Sequence, residues 1–245
     1  MSMYTWGDTF YGGNQTVLDI QRPVYATVDA FAVLAIRKAN NVFSRTLYAV
    51  GNPANGGSLD QTLTKRFKSI YSTDTAFAAV QTNTTVFAWG DKYGGGANTA
   101  MVKGLFGVDR LYATSSAFLA VSLTGSVLGA WGDQEQGGLI PAATALALAA
   151  TNSVESVYAT WGAFAVLTPS GVVYAWGSST EGGVLPAPLT NVQFLCRNYV
   201  SFIAFKNDGS VSTWGLVNEV QVSATGSTVP PPGIGWAYTI DDSFS

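Results

Sequence analysis

The chain has 245 residues, a formal charge of −3 from 12 basic and 15 acidic side chains, 47% hydrophobic and only 11% charged residues. That length can bury a sizeable core and the apolar fraction excludes disorder, while 27 Gly beside 13 Phe, 11 Tyr and 7 Trp suits short strands and tight turns. With no histidine and a single cysteine, Cys196, a Ser-His-Asp triad, a Cys-His dyad, a Cys/His zinc site and an internal disulfide are all excluded.

From the N-terminus, Met1 to Gly7 carries no basic segment followed by an apolar run, so no secretory signal is visible. The longest nearly apolar stretch, Gly137 to Ala150, contains Pro141 and falls short of the roughly 20 residues a membrane-crossing helix needs, so no membrane insertion is expected. The net negative charge disfavours nucleic acid. Low charge with frequent Thr, Ser, Asn and Gly suits an extracellular or cell-surface setting.

Along the chain, Trp-Gly recurs at Trp6-Gly7, Trp89-Gly90, Trp131-Gly132, Trp176-Gly177 and Trp214-Gly215, with a degenerate copy at Val50-Gly51. The anchors are spaced by 44, 39, 42, 45 and 38 residues. Before each lies a second signature: Tyr25-Ala26-Thr27 then Ala30-Phe31, Tyr71-Ser72-Thr73 then Ala76-Phe77, Tyr112-Ala113-Thr114 then Ala117-Phe118, and Tyr158-Ala159-Thr160 then Ala163-Phe164. Weaker copies are Cys196-Arg197-Asn198 then Ser201-Phe202, and Tyr238-Thr239-Ile240 then Ser243-Phe244.

Each copy reads as three strands. In the fourth, 156–160 is a first strand, Ala163 to Thr168 a second with Phe164 and Val166 on one face, and Val172 to Trp176 a third with Val172, Tyr174 and Trp176 aligned. The opposite faces carry Ala165, Leu167, Val173 and Ala175, so both sides are apolar, as a small sheet between two neighbours requires. No segment keeps a helical apolar period for long, which predicts an all-β chain. The spacing predicts a β-propeller of about six repeat blades, period about 40 residues, in a single domain spanning 1–245. The first unit has an enlarged hairpin around Arg37 to Asn41. The last signature stops at Ser245 and Met1 begins just before a third strand, so pairing of the N- and C-terminal segments would close the ring. The join is short, which leaves seven blades or closure between chains as alternatives, and a homo-oligomer as a possible assembly.

Trp-Gly followed by four residues and Gly-Gly, as at Trp131-Gly132 with Gly137-Gly138, then Tyr158-Ala159-Thr160 with Ala163 to Leu167, then Ser170-Gly171 with Ala175-Trp176-Gly177, resembles the regulator of chromosome condensation repeat in its divergent bacterial form. The resemblance spans nearly the whole chain. It implies a propeller, typically of seven blades, used as a binding platform.

The turn after each first strand and the loop after each Trp-Gly are expected on one face of such a disc. That face would carry Asp8, Asp29, Asp74, Asp91, Asp133, Glu135, Glu181, Glu219, Asp241 and Asp242, against Lys92 with Arg197 close by. It also projects Phe10, Tyr11, Tyr93, Trp161 and Tyr199. Because Asp8, Asp91 and Asp133 recur in register, they are expected to tie their own loops, whereas non-recurring residues are better ligand candidates. Trp161, Tyr199, Tyr93, Tyr11, Phe10, Asp29, Asp74, Glu135, Glu181 and Asp242 are therefore the candidate binding residues, Trp161 foremost. The repeating tryptophans are expected in the core, and Cys196 as a small buried hydrophobe.

Carboxylates beside exposed aromatics suit a protein partner with a basic surface, or a glycan. The leading expectation is a non-catalytic protein-recognition module without cofactor or metal, and the alternative is a lectin or adhesin. An enzyme is less favoured, since only carboxylates, Lys, Tyr and Ser are available; a glycosidase would need a pair such as Asp241 or Asp242 with Asp29 or Asp8.

Overall fold

The computed structural model describes residues 3–4, 8–11, 13, 16–17, 20–39, 42–59, 66–151 and 153–216. The expected sixth unit and its join to the N-terminus, together with Trp6, Glu219, Asp241 and Asp242, lie outside the described residues. Met3–Tyr4 (β1) pairs antiparallel with Thr16–Val17 (β2). Five three-stranded antiparallel sheets follow, one per repeat. They are Ile20–Ala26 (β3), Ala30–Ala39 (β4) and Val42–Gly51 (β5); Phe67–Ser72 (β6), Ala76–Gln81 (β7) and Val86–Gly90 (β8); and Val108–Ala113 (β9), Ala117–Ser122 (β10) and Val127–Gly132 (β11). The last two are Ser156–Ala159 (β12), Ala163–Leu167 (β13) and Val173–Gly177 (β14), then Val192–Arg197 (β15), Ser201–Lys206 (β16) and Val211–Gly215 (β17).

The three strands of every unit fall where the repeated signatures place them, with the Ala-Phe strand in the middle. Register sets each repeat phenylalanine opposite its tryptophan: Phe77 opposite Trp89, Phe118 opposite Trp131, Phe164 opposite Trp176 and Phe202 opposite Trp214. In the first unit β4 and β5 stay paired out to Ala39 and Val42, so the enlarged hairpin is a longer ladder; residues 40 and 41 lie outside the described residues.

Consecutive sheets pack face to face, and each contact is a separate apolar cluster. Phe164, Val166 and Trp176 meet Ala117, Leu119 and Val121 of the third unit, while Ala165, Leu167 and Val173 meet Leu195, Phe202 and Trp214 of the fifth. The second to fifth units thus turn their Phe–Trp face to the unit before, and the first to fourth their small-residue face to the unit after. A tryptophan contributes about 150–250 Å² to such an interface, on the order of 4–6 kcal/mol of gross burial.

The Gly-Gly that follows most of the anchors, as at Gly95-Gly96 and Gly137-Gly138, fits this interface. Gly95 has φ +96°, and a Cβ on it would lie 2.7 Å from the Phe118 ring of the next unit. Its carbonyl accepts a 3.0 Å hydrogen bond from Trp131 Nε1. The same bond joins Trp89 to Gly56 (3.0 Å), Trp176 to Gly137 (3.0 Å) and Trp214 to Gly182 (2.9 Å). Each tryptophan is therefore both the filler of the interface and the donor that satisfies the loop of the preceding unit.

The expectation of an all-β chain is corrected by two short helices in the connections, Ala100–Gly104 (α1) and Ala142–Thr151 (α2). The second runs Ala-Ala-Thr-Ala-Leu-Ala-Leu-Ala-Ala-Thr, residues of high helix propensity, and Pro141 accepts its first main-chain bond from Ala145 at 2.9 Å. With alanine on every side the segment has no amphipathic period, so periodicity could not reveal it. At 10 residues it is not long enough to cross a membrane, and neither is any other helix among the described residues.

At the opposite end of the sheets from the Trp-Gly loops, Lys68 donates to Asp109 across the second and third units at 2.6 Å, and Arg110 Nε lies 3.3 Å from the same carboxylate. The hydrogen bond from Lys68 is the main cause holding the Asp109 pKa below the usual carboxylate value. Its contribution to stability is present above the unfolded-state pKa, near 4, and is lost as pH falls through the lower folded value. Because Lys68 is exposed, Asp109→Asn is expected to cost no more than about 1 kcal/mol at neutral pH. The difference from the parent should shrink towards zero in acid, as read by urea denaturation at stepped pH.

Candidate functional site

The pairs Ala30–Gly51, Ala76–Gly90, Ala117–Gly132, Ala163–Gly177 and Ser201–Gly215 bring the turn before each middle strand beside the loop after each third strand. Both sets therefore emerge at one end of the sheets, as expected. Four of these loops are fixed by their first side chain. Asp8 Oδ1 accepts from the Phe10 N–H at 2.8 Å, Asn52 from Ala54 at 3.0 Å, Asp91 from Gly94 at 3.0 Å and Asp133 from Glu135 at 2.9 Å. Asp8, Asp91 and Asp133 are loop ties. The threonine of each Tyr-x-Thr signature clamps turn to loop, Thr27, Thr73, Thr114 and Thr160 donating to the carbonyls of Asn55, Gly94, Gln136 and Glu181 at 3.2, 2.9, 2.9 and 2.7 Å.

The turns are also stitched to one another through the main chain. The N–H of Val28 donates to Asp74 O at 2.8 Å, Asp74 to Ser115 at 2.9 Å, Ser115 to Trp161 at 2.7 Å and Trp161 to Tyr199 at 2.8 Å. These five residues hold one repeat position, the one that follows Thr27, Thr73, Thr114, Thr160 and Asn198. Together they rim a cavity of about 390 Å³. Its next level, two residues back where each first strand ends, is Ala26, Ser72, Ala113, Ala159 and Arg197.

At the rim, Trp161 and Tyr199 meet edge to face with ring centroids 4.3 Å apart and remain 39% and 57% exposed. Asp74 lines the same cavity, and partial burial holds its carboxyl pKa above the usual range. The Tyr199 hydroxyl is raised by loss of hydration and then by the negative fields of Asp74 and Glu181. Glu181 reaches this group because Gly162 has no Cβ; its carboxylate fills the space that a side chain would take. Trp161, Tyr199, Asp74 and Glu181, four of the expected residues, are thus brought together.

The others stand apart. Asp29 accepts from the side-chain amides of Asn52 (2.9 Å) and Asn55 (2.7 Å), which makes it a tie for its own loop. Phe10 and Tyr11 form an exposed edge-to-face pair at 5.2 Å, Tyr93 lies under Lys92 Nζ at 4.6 Å, and Glu135 is exposed; none of them lines the cavity. Asp242 lies outside the described residues. Cys196 is half-buried rather than fully buried, and burial pushes its thiol pKa up, away from the thiolate a nucleophile needs. Among the described residues no group of three His, Cys, Asp or Glu could hold a metal ion. Arg197, expected only near this end, is part of the cavity wall. Its signal in the sequence was size, since the equivalent positions are Ala26, Ser72, Ala113 and Ala159.

No protein-family model and no curated protein matches the chain. Among solved structures it is similar to the ectodomain of the receptor kinase CR4 of Physcomitrella patens, at 19% identity and TM-score 0.51 over 83% of this chain and 53% of that one. Similar too are Prp20p of Saccharomyces cerevisiae, studied for binding Gsp1p and histones, at 12% identity and TM-score 0.43 over 79% and 57%. A third is the CRINKLY WD40 ectodomain of the Arabidopsis thaliana receptor kinase ACR4, at 15% identity and TM-score 0.45 over 79% and 62%. The chain spans little more than half the length of the CR4 ectodomain. With five described sheets packed face to face in chain order and their turns gathered around a cavity, the chain has a propeller-type fold.

Proposed function

We propose that the chain is a non-catalytic protein-recognition module that holds a partner with a basic surface on the end bearing the turns. The observation that carries this reading is the exposed Trp161–Tyr199 pair, set beside Asp74 and Glu181 on turns that main-chain bonds hold in place. A rigid turn loses little entropy on binding, and a tryptophan at the centre of an interface is a common anchor. The carboxylates add attraction for lysine or arginine on the partner. The excess of acidic residues expected at this end would steer such a partner to the cavity side.

A displayed library of random peptides, panned against the intact chain, tests this reading. Selected peptides are expected to be rich in Lys and Arg, and Trp161→Ala to weaken them by about 2 kcal/mol, roughly thirtyfold. Tyr93→Ala, remote from the cavity, should leave their affinity within about twofold. Selective retention on a glycan array with no peptide enrichment would establish the lectin reading instead.

A further inference from the structure

The cavity beneath the aromatic pair contains two opposite charges that do not meet. Asp74 stands at its rim and Arg197 one level deeper, on a different unit. Among the described residues the only ion pairs are those of Asp109 with Lys68 and Arg110, so neither Asp74 nor Arg197 has a charged partner. Several other polar side chains of the wall are already engaged. Thr27, Thr73, Thr114 and Thr160 donate to loop carbonyls, and Ser115 donates to Gln136 Oε1 at 2.6 Å. Among the described wall residues, one carboxylate, one guanidinium, the Ser72 hydroxyl and the Trp161 and Tyr199 rings stay open to a ligand. Four of the five positions at the deeper level are Ala or Ser, which leaves the space open. A volume of about 390 Å³ is that of a small-molecule site.

We propose that this cavity binds a small dipolar ligand whose ammonium and carboxylate groups lie several ångströms apart, the chemistry of an ω-amino acid or of a C-terminal lysine residue. Asp74 takes the ammonium, Arg197 the carboxylate in its planar fork, and Trp161 with Tyr199 covers the methylene chain. Because the two charges stand on different units and do not meet, a ligand must hold its own charges apart to reach both, as an ω-amino acid does. The raised pKa of Asp74 fits a carboxylate that lacks its cation.

Calorimetric titration of the whole chain with 6-aminohexanoate, hexylamine and hexanoate tests the proposal. Saturable binding of 6-aminohexanoate is expected, with each single-charge analogue at least about tenfold weaker. Asp74→Asn and Arg197→Gln should each lower its affinity by a similar factor, with unchanged thermal midpoints, since both side chains are solvent-accessible. A peptide ending in lysine and its C-terminal amide separate the two sources: tighter binding of the free-acid peptide than of 6-aminohexanoate assigns the site to a chain end, and the reverse to a free ω-amino acid. Equal affinity for hexylamine, no loss in Arg197→Gln, or no saturable binding at millimolar concentration would overturn the proposal. The two readings share Trp161, Tyr199 and Asp74 but fail separately. A chain that enriches no peptides yet takes 6-aminohexanoate would lose its protein partner and keep its ligand.

Discussion

Gly95→Ala is expected to lower the stability of the chain by about 2–5 kcal/mol, although it adds one methyl group. Two costs meet at this residue. Its φ of +96° is strained for any residue with a Cβ, worth about 1–2 kcal/mol. The new methyl would also lie 2.7 Å from the buried Phe118 ring, and displacing a packed ring costs about 1–3 kcal/mol. Gly104→Ala is the control, because Gly104 ends α1 with nothing within 4 Å of the added carbon; there the change should be neutral or stabilising by a few tenths of a kcal/mol. Urea denaturation of both variants reads the contrast. Equal midpoints would mean that the loop moves aside at no cost, and that the interface between the second and third units is softer than its packing implies.

Trp176→Ala is expected to cost about 3–5 kcal/mol. The side chain is 1% exposed, fills the contact between the third and fourth units, and donates to Gly137 O at 3.0 Å. Trp176→Phe separates the two roles: it keeps most of the packing and leaves the Gly137 carbonyl without its donor, for about 1–3 kcal/mol. Since each apolar cluster among the described residues joins only consecutive sheets, the alanine variant should also broaden the transition, with a smaller urea dependence as the units on either side uncouple. A sharp two-state transition at unchanged slope would show instead that the units melt as one body.

Periodicity reveals the units because the packing repeats. Phe164 against Trp176, Gly137 against Phe164 and Thr160 against the Glu181 carbonyl each recur at the equivalent place in other units, so strands, turns and interfaces were all legible. The candidate site was less legible because it consists of departures from the repeat. Trp161 stood out as one such departure, and the same comparison applied one level deeper would have found Arg197 among alanines and serine. Asp29 looked as available as Asp74, yet Asn52 and Asn55, more than twenty residues on, fold back to bind it. The place of Glu181 depends on the missing Cβ of Gly162, a steric vacancy that no pattern of residue types announces. Helix α2 was hidden by its own uniformity.

The bonds that tie Val28 to Asp74, Asp74 to Ser115, Ser115 to Trp161 and Trp161 to Tyr199 use peptide groups alone. Apart from proline, which has no N–H, every amino acid brings the same donor and acceptor to these positions, so the scaffold is indifferent to which side chain the rim displays. An aliphatic, a carboxylate, a hydroxyl, an indole and a phenol already occupy five structurally equal sites in one molecule. New specificities can therefore be written into this rim one residue at a time, by mutation in the laboratory or by inheritance, while the frame that presents them stays the same.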